Sequence, residues 1–324
     1  MFALAGMAAT CALGEWKIVK TFAVGGTGGW DYLTVDPHTH RLYVPRTNHT
    51  LVIDSETGKT IADIAGQKNA HGVAIAQSAG RGFISDGGGD GAIVIFDLKT
   101  NAVLGSLAAM EDADGIIYDD ASGKVLVVSG RGKTLMVFSP DIDPHGGKIE
   151  GRIALRGEPE FLAAAPDGKV YVDLMDTNQV AVVDLAAQKV LTHWSVTPGG
   201  SPVGLAIDPA RGRLFIGCRK PAKLIAISTK DGAVVADLPI GESMDAVKTD
   251  RGQVFASTAV SQLFVAGGEK FAVAQVVGTS EGARTMGIDP STHRIYLPAA
   301  EYATTPNGKR TVKPGSFVIL AAAQ

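Results

Sequence analysis

The chain has 324 residues, 45% of them hydrophobic and only 19% charged, enough apolar material for a large core and too little charge for a disordered chain. Its formal net charge of −3 and the lack of any Lys/Arg cluster exclude the electrostatic footprint of a nucleic-acid binder. Forty glycines, with short Val/Ile/Thr-rich runs broken by Gly, Asp, Asn and Pro, are the texture of many short strands joined by tight turns, and no long stretch carries helical periodicity.

In chain order, residues 1–14 come first, small and apolar, with Ala12-Leu13-Gly14 in the form of a signal-peptidase site and no basic residue before Lys17. They read either as the remnant of an export signal or as an apolar N-terminus, and are too short to span a bilayer as a helix. Export predicts a periplasmic or secreted protein whose mature chain, residues 15–324, keeps Cys218 and loses Cys11. Neither cysteine has metal-site spacing, and Cys218, at a strand end, reads as a small buried residue.

The next signal is internal repetition. Asp31-Tyr32-Leu33-Thr34-Val35-Asp36-Pro37 reads as an inner strand running into a turn, because Asp bonds its own downstream backbone and Pro presets φ. Arg41-Leu42-Tyr43-Val44 is the second strand and Leu51-Val52-Ile53-Asp54 the third. Asp54 to Gly58 is a tight turn with Gly58 at positive φ, and Thr60–Ile64 is the outer strand. The same succession returns over His71–Leu107, Asp114–Ile153, Glu160–Trp194, Val203–Leu238, Asp245–Val277 and Arg284–Leu320. The last copy lacks an outer strand, and Trp16–Phe22 is the unassigned segment that can supply it. The prediction is one all-β domain over 15–324: a seven-bladed β-propeller of four-stranded antiparallel blades, its ring closed by the N-terminal strand, so that no sheet edge is left open.

Leu42-Tyr43-Val44, Val52-Ile53-Asp54 and Thr57-Gly58-Lys59 together resemble the YVTN-family β-propeller repeat. Gly29-Trp30-Asp31-Tyr32-Leu33, Gly217-Cys218-Arg219 and Gly282-Ala283-Arg284-Thr285-Met286 are similar to the YncE-type subfamily, exported propeller proteins of Gram-negative bacteria. The resemblance covers nearly all of residues 15–324. It implies the propeller fold and an exported location, and it implies no particular reaction.

Aligned on the Asp-Pro turn, the residues that open the seven inner strands are Asp31, His71, Asp114, Glu160, Val203, Asp245 and Arg284, 39 to 46 residues apart. Six are ionisable and converge on one mouth of a central channel. Like charges in a desolvated funnel repel, and a cation, a cationic ligand or shared protons would relieve them. Asp31, His71, Asp114, Glu160 and Asp245 are the candidate metal ligands, suited to Ca²⁺ or Mg²⁺ through oxygen, and to Zn²⁺ or Mn²⁺ if His71 takes part. Trp30 joins these residues as a stacking platform at the rim, or else packs inside. The alternative is structural: an Asp245–Arg284–Asp31 ion-pair chain around a water-filled channel. If the site is catalytic, His71 is the acid or base, Asp31 or Asp114 orients it, and Arg284 holds a substrate carboxylate or polarises a carbonyl.

Arg131, Asp176, Arg219 and Glu301 follow second strands and are candidate rim residues. His38 and His40 flank a solvent turn. Residues 301–314 form the longest irregular insertion, either a surface loop or a lid. The functional reading is a binding or interaction propeller taking a small-molecule, cation or protein ligand at the channel mouth or a propeller face. The alternative is a metal-dependent lactonase, hydrolase or lyase at the same residues. No cofactor is expected beyond a divalent cation, no nucleic acid is expected as partner, no membrane span is expected, and the chain is expected to be a monomer.

Overall fold

The computed structural model describes residues 14–268 and 270–324. The expected leader, Met1–Gly14, and Cys11 fall outside them except for Gly14. Among the described residues there is no α-helix, only two single 3₁₀ turns at Gln77–Ala79 and Pro209–Arg211. None is a helix long and apolar enough to cross a membrane.

The architecture is all-β and built from four-stranded antiparallel sheets, consistent with a β-propeller. Five sheets stand alone, and one further sheet of seven strands joins two repeats through the long strand Thr60–Ala76. In Pro202–Asp208, Arg213–Arg219, Ala222–Ser228 and Val234–Pro239 each strand pairs with the next, Leu205 opposite Ile216 and Ile225 opposite Asp237. The sheet holding Gly287–Ile288, Ile295–Ala299 and Val318–Ala323 takes its fourth strand from Lys17–Ala23, which pairs antiparallel with Val318–Ala323, Phe22 opposite Ile319.

Local chemistry explains the repeat. Asp36, Asp119 and Asp289 each accept bonds from residues two and three positions on, closing the turn after the inner strand. Asp54 and Asp97 do the same after the third strand, taking the backbone N–H of Thr57 and Thr100 at 2.7 Å. Hydrogen bonds from Thr57 hold the Asp54 carboxyl below its ordinary range. The position that must adopt positive φ in this turn is filled by Gly58 (φ 75°) or Asn101 (φ 60°). At Gly58 the requirement is doubled, because a Cβ there would lie 2.3 Å from the Phe22 ring.

Buried side chains gather into clusters lying between successive sheets rather than in one central core. Leu126, Val137, Leu162 and Val172 join the third and fourth repeats. Phe22, Leu42, Ile53, Tyr296 and Ile319 share a cluster that packs the last repeat against the first. Trp16 lies edge-on to Phe255 at 4.8 Å, and its indole N–H donates to Gln253 Oε1 at 3.1 Å, tying the chain start to the sixth repeat. Arg46, fully buried, donates to the carbonyls of Gly25, Thr27, Gly28 and Gly29 and stacks 3.7 Å from the Phe317 ring centroid. It holds the loop between the N-terminal strand and the first repeat.

Candidate functional site at the channel mouth

Five of the seven predicted ring positions share a backbone device. Register shifts interrupt the pairing of first and second strands between Ala70 and Val73, Val127 and Ser129, Pro159 and Leu162, Pro202 and Gly204, and Met244 and Ala246. His71, Asp114, Glu160, Val203 and Asp245 fall in these irregular stretches. Bulges re-aim a side chain that regular alternation would bury against a neighbouring sheet. Glycine follows three of these positions for a steric reason: a Cβ at Gly115 would meet the Glu160 carbonyl at 2.6 Å, and one at Gly204 the Asp245 carbonyl at 3.0 Å. The second strands anchor the displaced backbone. Ser85 Oγ accepts from Gly72 N at 2.9 Å, and Asp173 Oδ1 accepts from Glu160 N and Phe161 N at 3.1 and 2.7 Å.

The ionisable side chains form two networks. In the first, His71 Nδ1 lies 2.8 Å from Asp31 Oδ2 and 3.4 Å from Asp114 Oδ1, and His71 Nε2 lies 2.7 Å from Asn69 Nδ2. One ligating atom from each of Asp31, His71 and Asp114 lies within 4.8 Å of the others. In the second, Arg219 bridges Asp245 and Glu160, the latter at 3.6 Å, and Arg284 Nε meets Asp245 Oδ2 at 2.6 Å.

Burial works against every charge here, and the neighbours decide the outcome. For His71, burial disfavours the cation, but the Asp31 hydrogen bond and the Asp114 and Asp31 charges prevail and lift its pKa to about 9. Burial pushes Glu160 up to about 7 against the pull of Arg219, with Asp245 and Asp31 adding to the rise. Burial also raises Asp114 well above its ordinary range, with His71 opposing, and raises Asp245 despite both guanidiniums. At neutral pH the first network therefore holds an imidazolium between carboxyl groups.

Several expectations need correction. Glu160 and Asp245 stand apart from the Asp31–His71–Asp114 cluster, because each faces a guanidinium instead. Arg284 pairs with Asp245 but donates to the Trp30 carbonyl at 3.3 Å rather than bridging to the Asp31 carboxylate, which His71 takes. Trp30 is no platform at the rim: it is buried against Phe317, centroids 5.3 Å apart. Residues 301–314 are not irregular throughout, since Tyr302–Thr304 pairs with Arg310–Val312 as a hairpin. Arg131 and Asp176 make exposed pairs with Glu111 and Lys133, and Glu301 with Lys313. Of the four candidate rim residues only Arg219 joins the ring. His38 is exposed and lies 3.6 Å from Asp36. Cys218 is buried, its thiol pushed up to about 12 by burial.

Tyr32 carries no motif in the sequence, yet it lies buried beside the ionisable side chains of the site. Its buried hydroxyl donates across the centre to the Val203 carbonyl at 3.4 Å, and its ring packs on Phe161 with centroids 4.7 Å apart. Burial and the charges of Glu160, Asp245, Asp114 and Asp31 raise its pKa well above the ordinary phenol range. The sequence signal was its place directly after the first ring residue, where an inner-strand aromatic read simply as core.

Repeated four-stranded sheets with charged inner-strand ends at one mouth define a propeller-type protein. No family model matches the chain. The "Uncharacterized protein YncE" of Escherichia coli K12 is 26% identical over 132 residues, 39% of this chain and 36% of the relative, and that of strain O157:H7 is 26% identical over 130 residues. The matched region thus spans about a third of the curated relatives' length. Kuenenia stuttgartiensis hydrazine synthase superimposes with a TM-score of 0.73 at 13% identity, over 89% of this chain and 96% of that one, and shows the fold alone. The chain is thus similar to YncE over part of its length, and its likeness to the solved structure is one of fold.

Proposed function

We propose that residues 15–324 form one exported, seven-bladed propeller that works as a binding protein, with its site at the channel mouth beside Tyr32. Five four-stranded sheets, a seven-stranded sheet joining two repeats, pairing of Lys17–Ala23 with Val318–Ala323, and the cluster joining the last repeat to the first support this reading. The observation that carries the binding reading is the convergence of Asp31, His71 and Asp114 within 4.8 Å. Two carboxylates and an imidazole on bulged strand ends suit a divalent cation, with His71 favouring Zn²⁺ or Mn²⁺ over Ca²⁺ or Mg²⁺.

Because His71 is protonated at neutral pH, a metal ion must displace its proton, so binding releases protons and strengthens as pH rises. Titration calorimetry with Zn²⁺, Mn²⁺, Ca²⁺ and Mg²⁺ in buffers of different ionisation enthalpy tests this. Saturable binding with proton release, abolished in Asp114→Asn and His71→Gln, is the expected result. If no ion binds and none shifts the melting temperature, the cation reading fails and the triad is a structural ion pair.

A further inference from the structure

Tyr32 also lines a second space, distinct from the ionisable cluster. A cavity of about 570 Å³ is lined by inner-strand residues that follow the ring positions, among them Leu33, Val35, Val73, Ile116, Ile117 and Phe161, so its walls are mainly apolar. One cationic side chain stands on this wall: Lys248, half-buried, its Nζ 5.1 Å from the Phe161 ring centroid. Among the described residues it has neither a salt-bridge partner nor a hydrogen-bond acceptor within reach. The same lysine and Phe161 border an adjoining cavity of about 460 Å³, so the amine faces both spaces.

We infer that this compartment is a binding site for a small organic carboxylate with an apolar tail, its headgroup paired with Lys248 and its tail lying along the apolar wall. An ammonium without a counter-charge in an apolar cavity is disfavoured, and the ring face of Phe161 compensates only in part. Burial alone draws the Lys248 pKa down to about 8, as expected where no carboxylate stands close. A carboxylate ligand supplies the missing charge and, if it has a tail, covers apolar wall as well. The other titratable groups facing the cavities are placed differently. Asp36 is buried and bonded by His38 N and Thr39 Oγ1, Asp119 is bonded by Ser122, Tyr118 shares a hydrogen bond with Ser78 Oγ, and His38 and Asp120 are exposed.

Decanoate and decanol, titrated by calorimetry into the full chain, test the inference. Decanoate is expected to bind at about pH 7 and to lose about tenfold or more in affinity by about pH 10, where the amine is neutral. Decanol is expected to bind more weakly and without that pH dependence. Lys248→Met, expected to fold and to melt higher than the parent, should lose the preference for decanoate, and Lys248→Arg should keep it. Equal binding of decanol and decanoate, or an unchanged preference in Lys248→Met, overturns the inference. Asp114→Asn should leave decanoate binding intact, which separates this test from that of the cation site.

Discussion

Asp245 is held from two sides, by Arg219 of the preceding repeat and by Arg284 Nε at 2.6 Å, with its own side chain only 5% exposed. The guanidiniums come from a second strand in the fifth repeat and an inner-strand start in the seventh, so one carboxylate links three repeats. Removing one member of such a pair leaves charge without compensation. Asp245→Ala should lower unfolding free energy by about 2–4 kcal/mol, less than for a fully buried pair because both arginines reach solvent. A urea midpoint unchanged from the parent would count against the linkage.

His71 makes stability depend on pH at the alkaline end. Its pKa rises from 6.5 in the unfolded chain to about 9 in the native state. Its contribution is therefore full below pH 6.5 and is lost as pH rises through about 9, a fall on the order of 2–3 kcal/mol. NMR titration of the imidazole should give a midpoint near 9, and His71→Gln should flatten the alkaline limb of the stability curve. A midpoint near 6.5 would mean that the two flanking carboxyl groups do not hold the cation.

Glu160 acts over a lower window. A carboxyl whose pKa is raised on folding binds its proton more tightly in the native state, so stability falls as pH rises from 4.5 through about 7. Glu160→Gln should remove that slope and, above pH 7, gain roughly 1–2 kcal/mol, since it also relieves Asp114, Asp245 and Asp31 of a like charge. Thermal denaturation at a series of pH values checks it. Net destabilisation would show that the Arg219 pairing outweighs burial.

The segment Trp16–Phe22 is as structural as any internal strand. Trp16 is 3% exposed and anchored to Gln253 and Phe255. Trp16→Ala should cost about 3–5 kcal/mol, and Gly58→Ala, which drives a Cβ into Phe22 at positive φ, about 1–3 kcal/mol. Arg46→Met removes the donors of four loop carbonyls and should increase proteolysis at Gly25–Gly29 in particular. If an N-terminal truncation through Phe22 melted with the parent's cooperativity, the proposed closure of the ring by this strand would be wrong.

Tyr32 feels the charges of Glu160, Asp245, Asp114 and Asp31 and also lines the apolar cavity. Tyr32→Ala should cost about 3–5 kcal/mol in stability. Tyr32→Phe should remove only the bond to the Val203 carbonyl, about 1 kcal/mol. Hydrogen exchange at the inner strands beside Val203 and Phe161 distinguishes the two. Equal protection in both variants would show that the ring does not fill the channel.

Much of this molecule was readable from the chain alone. Strand succession, the Asp-led turns at Asp36 and Asp54, positive φ at Gly58 and the role of Trp16–Phe22 as a missing fourth strand all follow from local rules that act within a few residues and then recur. The register of the repeat also placed Asp31, His71, Asp114, Glu160, Asp245 and Arg284 at inner-strand starts. Which of these meet was decided only in three dimensions. A repeat aligns residues along the chain, but partners across a channel depend on bulges, rotamers and reach. So Arg219, a second-strand residue, took Glu160 and Asp245, and His71 took Asp31 from Arg284. Tyr32 and Lys248 were hidden for the same reason: an aromatic and a lysine in inner strands look ordinary until several sheets converge to bury one beside the ionisable cluster and leave the other an amine without a partner. The sequence determined the repeating unit because its causes are local; the tertiary structure decided the site because charge pairing and desolvation depend on residues from different repeats, tens to more than a hundred positions apart.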